Sequence, residues 1–125
     1  MATIEIAEVQ ISTDQASPTV SPSRNYGNGQ RWIEVQLTSS EWDAKAGTGT
    51  ITWGVEYRPT TTSPWYIAIS KPDEIGARGR DGLLPRAMVS AEFFAQYAPM
   101  RLRLFAWCTV SLLAGAVVTT GTGPA

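Results

Sequence analysis

The residues best placed for catalysis in this chain are paired carboxylates: Glu41 and Asp43 flank Trp42, and Asp73 and Glu74 follow Pro72. Glycosidases cleave sugar bonds with two such groups held at a set spacing across a cleft. Here each pair falls in a stretch that reads as loop, where a solvated carboxylate is the ordinary outcome. The chain has no histidine and one cysteine, Cys108. The commonest general base is therefore missing, and so are the donors of nearly all zinc and other soft-metal sites. No serine has a histidine to activate it, and no G-x-S-x-G elbow occurs. "DAKAGTG" precedes a strand pattern rather than a helix, which excludes a phosphate loop. No D-x-D-x-D-G calcium loop is present. A non-enzymatic protein is expected, with no catalytic, cofactor-binding or metal-ligating residues.

The remaining chemistry is that of contact: aromatic rings and arginines. In "RLRLFAWCTV" a strand places Leu102, Leu104, Ala106, Cys108 and Val110 on one face and Arg101, Arg103, Phe105, Trp107 and Thr109 on the other. The arginines belong outside; the two rings do not. Trp32 likewise shares a face with Glu34 and Gln36. Leaving one such ring exposed forgoes about 1.5–3 kcal/mol of burial, and a contiguous set marks a contact surface. The alternative is cover from the same chain, by residues 13–30 or 71–99. Trp53 and Tyr57 share parity with Ile51 and Val55, and Trp65 with Ile67 and Ile69, so these three rings are expected in the core. Tyr66 falls on the opposite parity. The candidate protein–protein interface is therefore Trp32, Tyr66, Arg101, Arg103, Phe105 and Trp107.

The elements that must position these side chains are almost entirely β. Thr, Val and aromatic residues cluster in short alternating runs separated by Gly, Pro and Ser. In "TIEIAEVQIS" Ile4 and Ile6 share one parity and Val9 and Ile11 the other, which requires an extra residue near Ala7–Glu8. "TDQASPTVSPSRNYGNGQ" reads as a long loop with a Gly-Asn-Gly turn. "RWIEVQLT" is a strand, and "SSEWDAKAGTG" holds one helical turn capped by Ser39 or Ser40. "TITWGVEYR" and "WYIAIS" form a hairpin across "PTTTSP". Residues 71–85 read as loop, and "RAMVS" as a short strand. "SAEFFAQYAP" reads as a short helix between Ser90 and Pro99 or as an irregular loop. "MRLRLFAWCTVS", a "LLAG" turn and "AVVTTG" form a closing hairpin. The expectation is an all-β fold: one antiparallel β-sandwich over residues 1–125, jelly-roll or immunoglobulin-like, with long loops and at most one or two helical turns. Residues 1–30 supply an N-terminal strand and a Ser/Pro-rich loop or arm.

Composition limits the partners. The net charge is −1 and charged residues make up 17%, below the usual level of about 25%. With no Lys/Arg block, a nucleic-acid surface is not expected. The most apolar tract, residues 102–118, is interrupted by Arg103, Thr109, Ser111 and Gly115 and is too short to span a bilayer. A lone cysteine excludes an intrachain disulfide. No basic-then-apolar leader is seen, so secretion by a signal peptide is not expected.

From Gln30 to Gly121 the order of patterns resembles small β-sandwich virion proteins of tailed bacteriophages. The matching pieces are "WIEVQLTSSEW", "GTITWGVEYRPTTTSPWYIAIS", "LLP", "MRLRLFAWCTVS" and "AVVTTG". The chain departs from that pattern in its "PTTTSP" turn, where the family carries an Asp-Gly-Gly type, and in the "SAEFFAQYAP" insert. The resemblance implies a structural role. It points to a capsid decoration (cement) protein that binds the major capsid protein or another virion protein, acts as a homo-oligomer with a trimer favoured, and needs no cofactor. It would sit on the capsid exterior after assembly in the host cytoplasm. A tail- or head-fibre component is the nearest variant, and a carbohydrate-binding β-sandwich module is the alternative from another class.

Overall fold

The computed structural model describes residues 2–26, 32–90, 93 and 100–121. Among the described residues nine strands are formed: β1 (Ala2–Gln10), β2 (Thr19–Val20), β3 (Arg24–Tyr26), β4 (Trp32–Thr38), β5 (Thr50–Arg58), β6 (Tyr66–Glu74), β7 (Arg86–Val89), β8 (Met100–Cys108) and β9 (Leu113–Gly121). Sheet A runs β1-β9-β4-β7 and sheet B runs β2-β8-β5-β6, with β3 also paired to β8. Every pairing is antiparallel. Ser21, Pro22 and Ser23 separate β2 from β3, so the two act as halves of one broken strand. Eight strands in this order make a jelly roll. The first and last strands pair antiparallel in one sheet, whereas the ABED and CFG sheets of an immunoglobulin sandwich separate them.

Alternation explains why the two sheets pack. Ile33, Val35 and Leu37 of β4, Ile51, Trp53 and Val55 of β5, and Ala114, Ala116 and Val118 of β9 all point inward and are buried. Trp42 joins them from the loop after β4, and its indole N–H donates to the Ala77 carbonyl at 2.9 Å. That loop is a run of turns rather than a helix. One α-type bond links the Lys45 N–H to the Glu41 carbonyl at 3.0 Å, and the Ser39 hydroxyl accepts from the Glu41 N–H at 3.3 Å.

The extra residue predicted in β1 is present. Ile6 pairs with Ala116 and Val9 with Ala114, so three steps on β1 match two on β9. Three expectations need correction. The stretch after β1 that reads as a long loop contains β2 and β3, both paired to β8. β8 and β9 are not a hairpin: β8 lies in sheet B and β9 in sheet A, and residues 109–112 cross between the layers. Leu113, Ala114 and Gly115, assigned to the turn, belong to β9. The strand begun at Tyr66 also continues through Lys71, Pro72 and Asp73 to Glu74, where the sequence pattern reads as loop. Proline is tolerated there because β6 is an edge strand. The Gly27–Gly29 turn and most of the Ser90–Pro99 segment lie outside the described residues.

Candidate interaction surface

The outer face of sheet B is set by one glycine and one bulge. Gly54, in the interior of β5, faces Ser70 of β6. A Cβ on Gly54 would collide with the backbone carbonyl of Ile69, so only glycine permits this approach. Immediately beyond, Val55 pairs with Ile69 but Glu56 pairs with Ile67, leaving Ala68 as an extra residue. The bulge reverses the facing of everything before it. Ile67 moves to the outer face beside Glu56 and is 60% exposed. Trp65 moves with it, which corrects its assignment to the core. Tyr66 turns to the side of Tyr57, with ring centroids 5.6 Å apart, and Tyr57 in turn meets Phe93 edge-on at 4.9 Å.

Turned outward, Trp65 meets cations. The Arg103 guanidinium lies 4.2 Å from the ring centroid and that of Arg58 5.6 Å. The Arg103 Nε–H also donates to Glu56 Oε1 at 3.0 Å, the two side chains retaining 25% and 16% of their exposure. Arg58 Nε–H donates to the Ser63 carbonyl in the β5–β6 turn at 2.9 Å. Arg101, next on this face, donates to the Ser23 hydroxyl at 3.0 Å and the Ser23 carbonyl at 3.1 Å. Arg58, Arg101 and Arg103 thus stand on one face, each fixed by an internal bond, and Glu56 is the carboxylate partner of Arg103.

The six predicted interface residues do not form one patch. Phe105, Trp107, Arg101 and Arg103 share the outer face of sheet B, as their register with Gly54, Thr52, Arg58 and Glu56 requires. Phe105 is covered by its own chain: it is 7% exposed, lies opposite Gly54 and Val20, and stands outside the packed core cluster. Trp107 is half-buried. Trp32 lies on the other layer, opposite Gly121 in sheet A, where its indole occupies the space a Cβ on Gly121 would need. Its Nε1 is sealed from solvent with no partner among the described residues. Tyr66 is 47% exposed at the end of β6. Ile67, Val20 and Met88, at 60%, 41% and 43% exposure, are apolar surface that sequence parity did not single out. A glycine inside a strand is a common mark of a bulge, and Gly54 was the available sign for Ile67.

Three of the four paired carboxylates have partners within the chain. Glu41 Oε1 accepts from the Leu113 N–H at 2.7 Å and sits 3.5 Å from the Lys45 ammonium. Asp43 pairs with Arg78 at 2.8 Å, and that hydrogen bond holds its carboxyl below the usual range. Asp73 Oδ2 accepts from the Trp53 indole at 2.8 Å. Among the described residues no group of three or more Cys, Asp or Glu could hold a metal, and no helix is long and apolar enough to cross a membrane. Cys108 is fully buried, and burial pushes its thiol up to about 11.

Comparisons with protein-family models, with curated proteins and with solved structures find no match to this chain.

Proposed function

We propose that this chain is a non-enzymatic structural protein of a tailed-phage virion, a decoration protein that binds the major capsid shell as a homo-oligomer, with a trimer favoured. The observation that carries this is the outer face of sheet B. There Trp65, Arg58, Arg103 and Glu56 form a fixed aromatic and ionic platform with Ile67, 60% exposed, beside it. A sheet face whose charged groups are already ordered loses little side-chain entropy on contact. Modest contacts repeated around a symmetric ring then add to tight binding. The resemblance of the strand patterns to those of small phage virion proteins is what supports a virion partner. The jelly roll itself does not discriminate, since capsid proteins and lectins both use it.

The carbohydrate-binding alternative needs exposed, coplanar rings on adjacent strands. Trp53 is 2% exposed and Trp65 is flanked by two guanidinium groups, which leaves Tyr66 as the accessible ring of that group. The deciding experiment adds purified protein to expanded capsids that lack it. Stoichiometric binding and a raised capsid melting temperature are expected. No binding together with hits on a glycan array would replace the proposal with the lectin reading.

A further inference from the structure

The two long seams of the sandwich differ. On the β6–β7 side a bond ties one sheet to the other: Lys71 Nζ of β6 donates to the Arg86 carbonyl of β7 at 2.8 Å. On the β1–β2 side they part. Residues that should be sealed there are not: Val9 is 47% exposed, and Ile4, Ile6, Leu104 and Ala106 are only partly buried. Two cavities open in that seam. The larger, about 130 Å³, is lined by Ile6, Val9, Val20, Trp53, Ala106 and Ala116, among others. The smaller, about 20 Å³, is lined by Ile4, Ile33, Leu102 and Val118, with Arg24 at its rim.

Their spacing identifies the occupant. The larger cavity sits at the Ile6–Ala116 pair and the smaller at the Ile4–Val118 pair, two residues along the same ladder. Two residues of strand are about 7 Å, the repeat at which an extended chain puts side chains on one face. β1 is one of the two edges of sheet A among the described residues and contains no proline. The facing rim has Pro18 and Pro22, which lack an N–H, and the Ser21 N–H is spent on the Leu104 carbonyl at 3.0 Å. Arg24 is exposed, its guanidinium makes no hydrogen bond or ion pair among the described residues, and no carboxylate lies among the residues lining its cavity.

We infer that the β1 edge accepts an extended arm of another protein, added antiparallel to Ala2–Ile6. The arm places a large apolar side chain in the 130 Å³ cavity, a small one two positions on in the 20 Å³ cavity, and a carboxylate beyond it against Arg24. Strand addition takes its affinity from main-chain bonds and its specificity from alternate side chains. The inference rests on the assembly role proposed above and names the chemistry of one partner segment. It can fail while that role stands.

The test is an amide NMR titration with the blocked peptide Thr-Phe-Thr-Val-Thr-Glu-Thr. Shifts should concentrate on residues 3–9. A peptide with Phe and Val adjacent, which cannot face the seam together, should bind roughly tenfold more weakly. Ala106→Leu, which fills the larger cavity, should abolish the shifts while the circular dichroism spectrum stays unchanged. Arg24→Glu, on the exposed rim, should reverse the preference toward a peptide with Lys in place of Glu. Equal binding of both Phe/Val arrangements, shifts centred elsewhere, or no shift at millimolar peptide would each overturn the inference. So would a dimer of the free protein that Ala106→Leu dissolves, because the seam would then belong to a second copy.

Discussion

Phe105 and Ile67 sit on the same face of sheet B, yet they should respond in opposite ways to truncation. Phe105 is 7% exposed and Ile67 60%. A buried Phe covers about 150–250 Å², and Phe→Ala in packed surroundings costs about 3–5 kcal/mol. Phe105 lies opposite Gly54 and outside the main core cluster, so the lower end applies, about 3 kcal/mol for Phe105→Ala. At roughly 4 °C per kcal/mol for a chain of this size, the melting temperature should fall by about 12 °C. Ile67→Thr keeps the β-branch on an exposed edge and should change stability by less than about 0.5 kcal/mol. Urea titrations of both variants, read by circular dichroism and tryptophan fluorescence, measure the difference. In the capsid-binding assay the ranking should invert, with Ile67→Thr folded but weakened. A Phe105→Ala variant as stable as wild type would refute the claim that this ring is already buried in the single chain. The face would then be an unfilled interface centred on Phe105.

The cation–π contact gives a second test: a double-mutant cycle between Arg103→Met and Trp65→Leu should show a coupling of about 0.5–1 kcal/mol, and Arg103→Lys should recover only part of it. Gly54→Ala should destabilise by about 1–3 kcal/mol, because the added Cβ meets the Ile69 carbonyl, which cannot move without undoing the bulge. Cys108, buried with its thiol raised to about 11, should resist a disulfide reagent at pH 8 in the folded protein and react fully in denaturant; rapid native reaction would contradict that burial. Asp43 is held below the ordinary carboxylate range by Arg78. Its contribution is therefore present above the unfolded value and lost as pH falls through the folded one. Carboxyl NMR of Arg78→Ala should show Asp43 titrating at higher pH than in wild type.

Alternation made most of the sandwich legible, because one buried face leaves a period of two in the sequence. β4, β5, β8 and the bulge of β1 follow from it, the last because Ile4–Ile6 and Val9–Ile11 switch parity in plain view. The β6 bulge left no such trace. Trp65, Ile67 and Ile69 keep an unbroken alternation, and all three are apolar, so the pattern could not show that the first two face solvent. Only Gly54, on the neighbouring strand, carried a hint. The placement of β8 and β9 in different layers was also hidden, since a four-residue connection serves a hairpin and a crossing between sheets equally well. Arg101 and Arg103 were correctly assigned to the outer face. Their partners Ser23, Glu56 and Trp65 lie 78, 47 and 38 residues away in sequence, beyond the reach of any local rule.

The asymmetry of the seams has a common cause in backbone chemistry. A jelly roll has four edges, and exposed edges invite pairing with other chains unless they are blunted. Here β6 carries Lys71 and Pro72, and the broken strand β2–β3 is interrupted by Pro22; each device removes a donor or adds a charge. β7 is only four residues long. β1 is different: nine residues without proline, with Glu5 as the main charge on its regular half and a bulge that confines pairing to the stretch before Ala7. That leaves one edge of defined length and register, set above the two apolar cavities. If blunting is the rule for the other three, replacing Glu5 with Ile should promote self-association through β1 while Lys71→Ile promotes little, because Pro72 still blocks that edge. Sedimentation velocity on the two variants separates these outcomes, and equal association of both would remove the distinction drawn between the edges.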